Sequence, residues 1–294
     1  MQTETDSEPN QRAVGFSRGT MLIMLSIVSV QFGAAVAKQL FDDVGPAGVV
    51  LLRQGLAAIV LMAVARPTIR GRSSRDWAVV FSFGAVLAVM NLSFYEAVDR
   101  LPLGMAVTIE LLGPLGLAVA FSRRGREFAW CGLALIGVVL LSEGGVAVDA
   151  AGIVFALIAA VGWATYILLV GAAGRRFVGV DGLALAMVAA TLFSSPFGLQ
   201  AGRSLLSPRV LGLGAVVALL SAIVPFSLEV TARRSVAPGV FGVMMSLSPA
   251  VATLSGFLIL YQHLAVQQLA GMALVTIASA ATIATARESP AVQP

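Results

Sequence analysis

The chain has 294 residues, of which 58% are apolar and 12% charged, with a formal net charge of +4 and a mean hydropathy of +0.93. About 25% charged residues would be typical of a soluble domain, so an ordinary globular, disordered or collagen-like chain is excluded. The single cysteine, Cys131, cannot close an intramolecular disulfide and has no companion ligands for zinc.

At about 20 residues per spanning helix, ten spans use roughly 200 residues and leave the rest for loops and tails. In chain order, residues 1–18 are polar and begin with acids, the opposite of a secretory signal, and read as a cytoplasmic tail. Apolar runs bounded by charges, Pro or Gly follow at 19–40, 46–65, 76–98, 102–121 and 128–142. A second set covers 150–171, 181–200, 210–231, 238–260 and 265–285, and residues 287–294 form another polar tail. The fifth run is the shortest, because Glu143 ends it early.

Orientation follows from the arginines in alternate loops. With the N-terminus in the cytoplasm, that side receives fourteen arginines, among them Arg70, Arg72, Arg123, Arg124, Arg175 and Arg176, and the other side receives Arg100, Arg203 and Arg209. Such a bias puts both termini in the cytoplasm and reads as membrane topology, not as a nucleic-acid surface. The expected architecture is all-α and integral to the membrane. Residues 19–142 form one five-helix half and residues 150–286 a second. An odd number of spans per half inserts the second half upside down, giving an inverted repeat. Glu96 and Arg100, followed by Gly104 and Pro114, are echoed by Glu229 and Arg233, followed by Gly239 and Pro249.

A charge at mid-membrane costs at least about 2.5–3.5 kcal/mol, so each one calls for a cavity or a partner. Glu110 lies roughly 12 Å into the fourth run at about 1.5 Å per residue. Arg53 has a comparable depth in the second run, so an Arg53–Glu110 ion pair is expected. It reads first as a structural tie and second as a charge that meets substrate or proton. Asn91 and Tyr95 share a face at i and i+4, as do Trp163 and Tyr166 at i and i+3. Gln31 and Lys38 share a stripe of the first run, where Lys38, the only lysine, is also close enough to the helix end to reach the headgroups. Gly113-Pro114 and Ser248-Pro249 interrupt the fourth and ninth runs at matching places, the pattern that points to the site of a repeat transporter.

Catalytic signatures are missing. The chain has no H-E-x-x-H, no G-x-S-x-G and no P-loop, and its one histidine, His263, lies in a loop. Neither enzymatic activity nor a cofactor or metal is expected, and any active transport draws on an ion or substrate gradient. An intramembrane enzyme and a channel are the rival classes.

Four stretches together resemble a known family. They are A-K-Q-L-F-x-x-V-G-P-x-G-V-x-x-L-R from Ala37 to Arg53, N-L-S-F-Y-E-A-V-D-R-L-P-L-G-M-A-V from Asn91 to Val107, E-L-L-G-P-L from Glu110 to Leu115 and P-F-S-L-E from Pro225 to Glu229. They look like the drug/metabolite transporter superfamily and, within it, the EamA-type amino-acid exporters of bacterial inner membranes, among them the threonine/homoserine and aromatic amino-acid exporters. The resemblance implies a ten-helix inverted repeat that works by alternating access, with a central cavity lined by helices 1, 3, 4, 6, 8 and 9. Carried onto this sequence, it favours Gln31, Lys38, Asn91, Tyr95, Glu110, Trp163, Tyr166 and Ser246 as substrate-binding residues. Pro114 and Pro249 become the gating or kink positions, and Arg53 and Glu229 structural residues.

The expected function is therefore export of neutral or aromatic amino acids and related metabolites, with drugs, purines or other metabolites as the alternative cargo. Trp163 and Tyr166 would pack the cargo's side chain. Proton coupling needs a carboxylate that exchanges protons in the working range, and Glu110 is the first candidate. The expected partners are a small-molecule substrate, membrane lipid and the proton, without nucleic acid, and the expected assembly is a monomer or weak homodimer.

Overall fold

The computed structural model describes residues 18–120, 125–142, 149–232, 236 and 238–286, so both tails apart from Arg18 lie outside the described residues. Every described element is helical, as lipid demands of backbone that must bond within its own segment. Each of the ten apolar runs becomes a helix or a broken helix. Eight are long and apolar enough to cross a membrane, and the runs at Ala129–Leu141 and Val266–Thr282 are shorter.

Local chemistry sets the boundaries. Helix α1 spans Arg18–Lys38, and α2 spans Phe41–Ala65, five residues earlier than the hydropathy suggests. Gly45 joins the two parts of α2 in a left-handed conformation (φ 69°) that a side chain would resist, and Pro46 restarts the helix. Helix α3, Ser74–Arg100, begins with a reciprocal cap between Ser73 and Asp76 and stops where Leu101 turns extended ahead of Pro102. Helices α4 (Leu103–Glu110) and α5 (Leu112–Ala120) share the fourth run, and α6 is Gly125–Ser142.

The second half opens with α7, Ala150–Gly174, whose N-terminus is capped by Asp149. Helix α8, Asp181–Gly198, tightens into a 3₁₀ segment over Leu199–Leu206. Helix α9 (Pro208–Ala218), a π turn (Leu219–Ile223) and α10 (Val224–Ala232) form one rod. Helices α11 (Pro238–Met245) and α12 (Ser248–Leu260) form another, and α13 is Val266–Ala286.

Packing joins elements far apart in sequence. Helix α3 lies along α7 and α8, α2 along α8 and α9, α1 along α10 and α12, and α6 along α13. Small residues allow the close approaches: a Cβ at Gly113 would fall 2.0 Å from the carbonyl oxygen of Ala160, so α5 and α7 touch backbone to backbone. A buried polar triad ties three helices, with Ser194 donating to Gln54 Oε1 at 2.9 Å and Gln54 Nε2 to the Leu87 carbonyl at 3.2 Å. The outward faces carry exposed Leu, Ile, Val and Phe, as a lipid-facing surface does.

Polar contacts collect at the two ends. Where α1 finishes, Lys38 donates to the carbonyls of Val98 and Asp99, and Arg100 reaches Glu96 and Asp149 while stacking over Phe155. At the same end Arg209 meets Asp43 at 3.0 Å, and Gln262 accepts from the Leu103 N–H that opens α4. The opposite end is held by Arg72 to Asp181 at 3.6 Å and Arg176 to Asp76 at 3.0 Å. Exposed pairs of this kind contribute about 0–1 kcal/mol each, so they orient the ends more than they stabilise the core.

Candidate functional site

Three prolines open the backbone beside a helix break or a π turn. A proline has no N–H for the carbonyl four residues earlier and its ring crowds that oxygen. Pro114 does this to Glu110 and Pro249 to Met245, and α4 and α11 end at those two residues. Pro225 does it to Ser221, where the rod widens into its π turn and the Val224 N–H reaches back to Leu219. Single π turns inside α-helices recur at functional sites.

A cavity of about 130 Å³ lies beside two of these openings. Gln31 and Ala34 of α1, Asn91, Phe94 and Tyr95 of α3, Glu110 at the end of α4 and Ser221 of the π turn line it together with Arg53 of α2. Helix α1 comes this close to the π turn because Gly33 has no side chain: a Cβ there would sit 2.2 Å from Ser221 Oγ.

Arg53 is the organising cation. It donates to Asn91 Oδ1 through one terminal nitrogen and to the Ser221 carbonyl through the other at 3.3 Å, and its Cζ lies 5.7 Å from the Tyr95 ring centre. Asn91 is fixed in turn by donating to the Leu87 carbonyl at 2.7 Å. Pro225 brings no N–H to the end of the π turn, and the carbonyls just before it accept from side chains instead, Leu220 from Ser29 at 2.7 Å and Ser221 from Arg53. Among the described residues, buried Arg53 Nε and Ser221 Oγ have no hydrogen-bond partner. Arg53 and Glu110 line the same cavity without forming an ion pair among the described residues, which differs from the pairing expected from their depths. Depth is one coordinate, and the rotation of each helix, which depth leaves open, turns the guanidinium toward Asn91 and Ser221.

Of the residues singled out in the sequence, Gln31, Asn91, Tyr95 and Glu110 come together here. Lys38 bonds the carbonyls that end α3 and is not among the lining residues. Trp163 packs with Leu111, Leu115 and Val275, and Tyr166 packs against Phe83 with ring centres 5.6 Å apart. The α7 aromatics therefore fall into two packing clusters away from the cavity. Ser246 is buried between α11 and α12, its hydroxyl directed at the Gly242 carbonyl at 3.4 Å. Glu229 accepts from Ser26 at 2.8 Å, a tie between α10 and α1. Ser221 escaped the sequence reading, although a serine four residues before a proline in an apolar run is a usable signal.

Chemically, the site offers one guanidinium, one carboxylate, two amides and a phenol around a small volume inside apolar helices. That chemistry suits a small polar or dipolar molecule. Among the described residues no cluster of His, Cys, Asp and Glu could hold a metal ion.

Comparisons with known proteins agree with a transporter. Residues 150–284 match the EamA-like transporter family. The chain is 36% identical over 273 residues to the threonine/homoserine exporter RhtA of Escherichia coli, covering 91% of this chain and 92% of that protein. It is 34% identical over 277 residues to the threonine/homoserine exporter RhtA of Salmonella typhimurium, covering 93% and 94%. A solved crystal structure superposes with a TM-score of 0.60 at 20% identity over 91% of this chain and 98% of the other, a likeness of fold alone.

Proposed function

Because the chain belongs to the EamA-like transporter family, we propose that it is a secondary transporter that exports neutral amino acids and related metabolites across a bacterial inner membrane. The observation that carries this reading is the cavity at the break between α4 and α5, where Glu110 and Arg53 line a space enclosed by apolar helices. The threonine and homoserine exported by its relatives are small, neutral and zwitterionic, and suit that space. Aromatic cargo finds neither Trp163 nor Tyr166 in the lining, which favours small side chains in this conformation.

The end contacts support an inverted repeat of two five-helix halves that alternates access. Asp43 lies in the first turn of α2 and Asp181 in the first turn of α8, the second helices of their halves. Each is met by an arginine that follows the second helix of the other half, Arg209 for Asp43 and Arg72 for Asp181. The two pairs occupy opposite ends, as one device turned over would. The arginine asymmetry of the loops supports cytoplasmic termini.

Uptake of labelled threonine, alanine, methionine, phenylalanine, tryptophan and a purine into proteoliposomes tests the function. The expected result is saturable, trans-stimulated flux of the small neutral amino acids. Linear, very fast flux indicates a pore instead, and purine flux alone moves the cargo to other metabolites. Glu110 is the proposed proton-coupling group. Glu110→Gln should make residual flux insensitive to an imposed pH gradient that changes wild-type flux several-fold, and an unchanged gradient response removes Glu110 from that role.

A further inference from the structure

We propose that Arg53 and Glu110 are the two poles of a zwitterion site, Arg53 receiving the α-carboxylate and Glu110 the α-ammonium of a small neutral amino acid. The proposal rests on the export reading above and assigns its substrate contacts, turning Arg53 from a structural residue into a binding one.

Opposite charges placed in one small cavity inside apolar helices would ordinarily collapse onto each other, since their attraction is strong at low dielectric. Here they stay apart. Arg53 is held back by Asn91, by the Ser221 carbonyl and by the Tyr95 ring, all of which contact it from α3 and the π turn. A guanidinium has five N–H donors, and Asn91 and the Ser221 carbonyl engage only one terminal nitrogen each. A carboxylate is the guest that a guanidinium fork takes in bidentate fashion. Glu110, at the broken end of α4, is the acceptor left for an ammonium.

Charge balance points the same way. A zwitterion adds equal and opposite charges, so that with Glu110 ionised every charge in the filled cavity has an opposite neighbour. An amino ester or an N-acyl acid brings only one charge and leaves Arg53 or Glu110 uncompensated, which is costly in a buried site. The space is small, about 130 Å³, which favours a short side chain on the guest.

The test is competition against labelled threonine uptake by the full chain in proteoliposomes, using threonine, threonine methyl ester, N-acetylthreonine and phenylalanine. In the wild type, each of the last three should compete at least tenfold more weakly than threonine. Arg53→Met should lose selectivity against the ester while retaining that against the N-acetyl compound. Glu110→Gln should do the reverse, a split that a merely structural defect would not produce. Should either variant fail to fold, the wild-type series alone decides. Saturable threonine flux with equal competition by the ester or the N-acetyl compound overturns the zwitterion site and leaves the export reading intact. Absence of any amino-acid flux in folded wild-type protein overturns both.

Discussion

Gly113→Ala is expected to destabilise the protein by about 3 kcal/mol or more, whereas Gly116→Ala, one turn further along α5, stabilises it by roughly 0.5–1 kcal/mol. The added methyl is the same in both, and only the surroundings differ. At Gly113 the new carbon would lie 2.0 Å from the Ala160 oxygen and 2.8 Å from its carbonyl carbon, backbone atoms that cannot rotate away. The α5–α7 interface would have to separate, and Leu111 and Leu115 would lose packing with it. At Gly116 nothing lies within 4 Å, so the change acts only through helix propensity. Thermal unfolding of the two purified variants checks this. Equal melting temperatures would mean that α5 and α7 do not meet at Gly113.

Pro114→Ala is expected to move stability and transport in opposite directions. The new N–H can bond the Glu110 carbonyl, closing the gap between α4 and α5 and adding about 1 kcal/mol, a rise of roughly 2 °C in melting temperature. Continuing the helix through Leu111 rotates the Glu110 side chain relative to Arg53 and the α3 residues that line the cavity. Threonine flux should fall at least tenfold. A variant that is both more stable and fully active would show that the break has no part in transport, and one that is less stable would place Pro114 in packing.

Much of this could be read from residue order because the bilayer simplifies the problem. Apolar runs between charges and prolines became helices, and the prolines at 114 and 249 marked the breaks, since the carbonyl four residues upstream is fixed by chain geometry. Asn91 and Tyr95 face one space because i and i+4 positions share a helix face. Rotational information between helices was out of reach. Arg53 and Glu110 have matching depths, yet the guanidinium turns toward Asn91 and Ser221. Trp163 and Tyr166 are close on α7, but that helix is gripped on one side by α3 and on the other by α4 and α5, and the two rings divide between those neighbours. The π turn adds one residue to a helical turn without changing hydropathy, so nothing in the apolar pattern announced it.

The Ser221 contact has a bearing on how variation in this protein should be interpreted. The atom that Arg53 engages is a main-chain oxygen of the π turn that precedes Pro225. The acceptor is not part of the side chain at position 221, although the tight packing of Gly33 against Ser221 Oγ leaves room there only for a small residue, and substitution at Pro225 can reach the same oxygen through the turn. The polar lining of the cavity is written partly outside the residues that form it, and two chains with the same lining side chains can differ in how Arg53 is held if one has lost the proline.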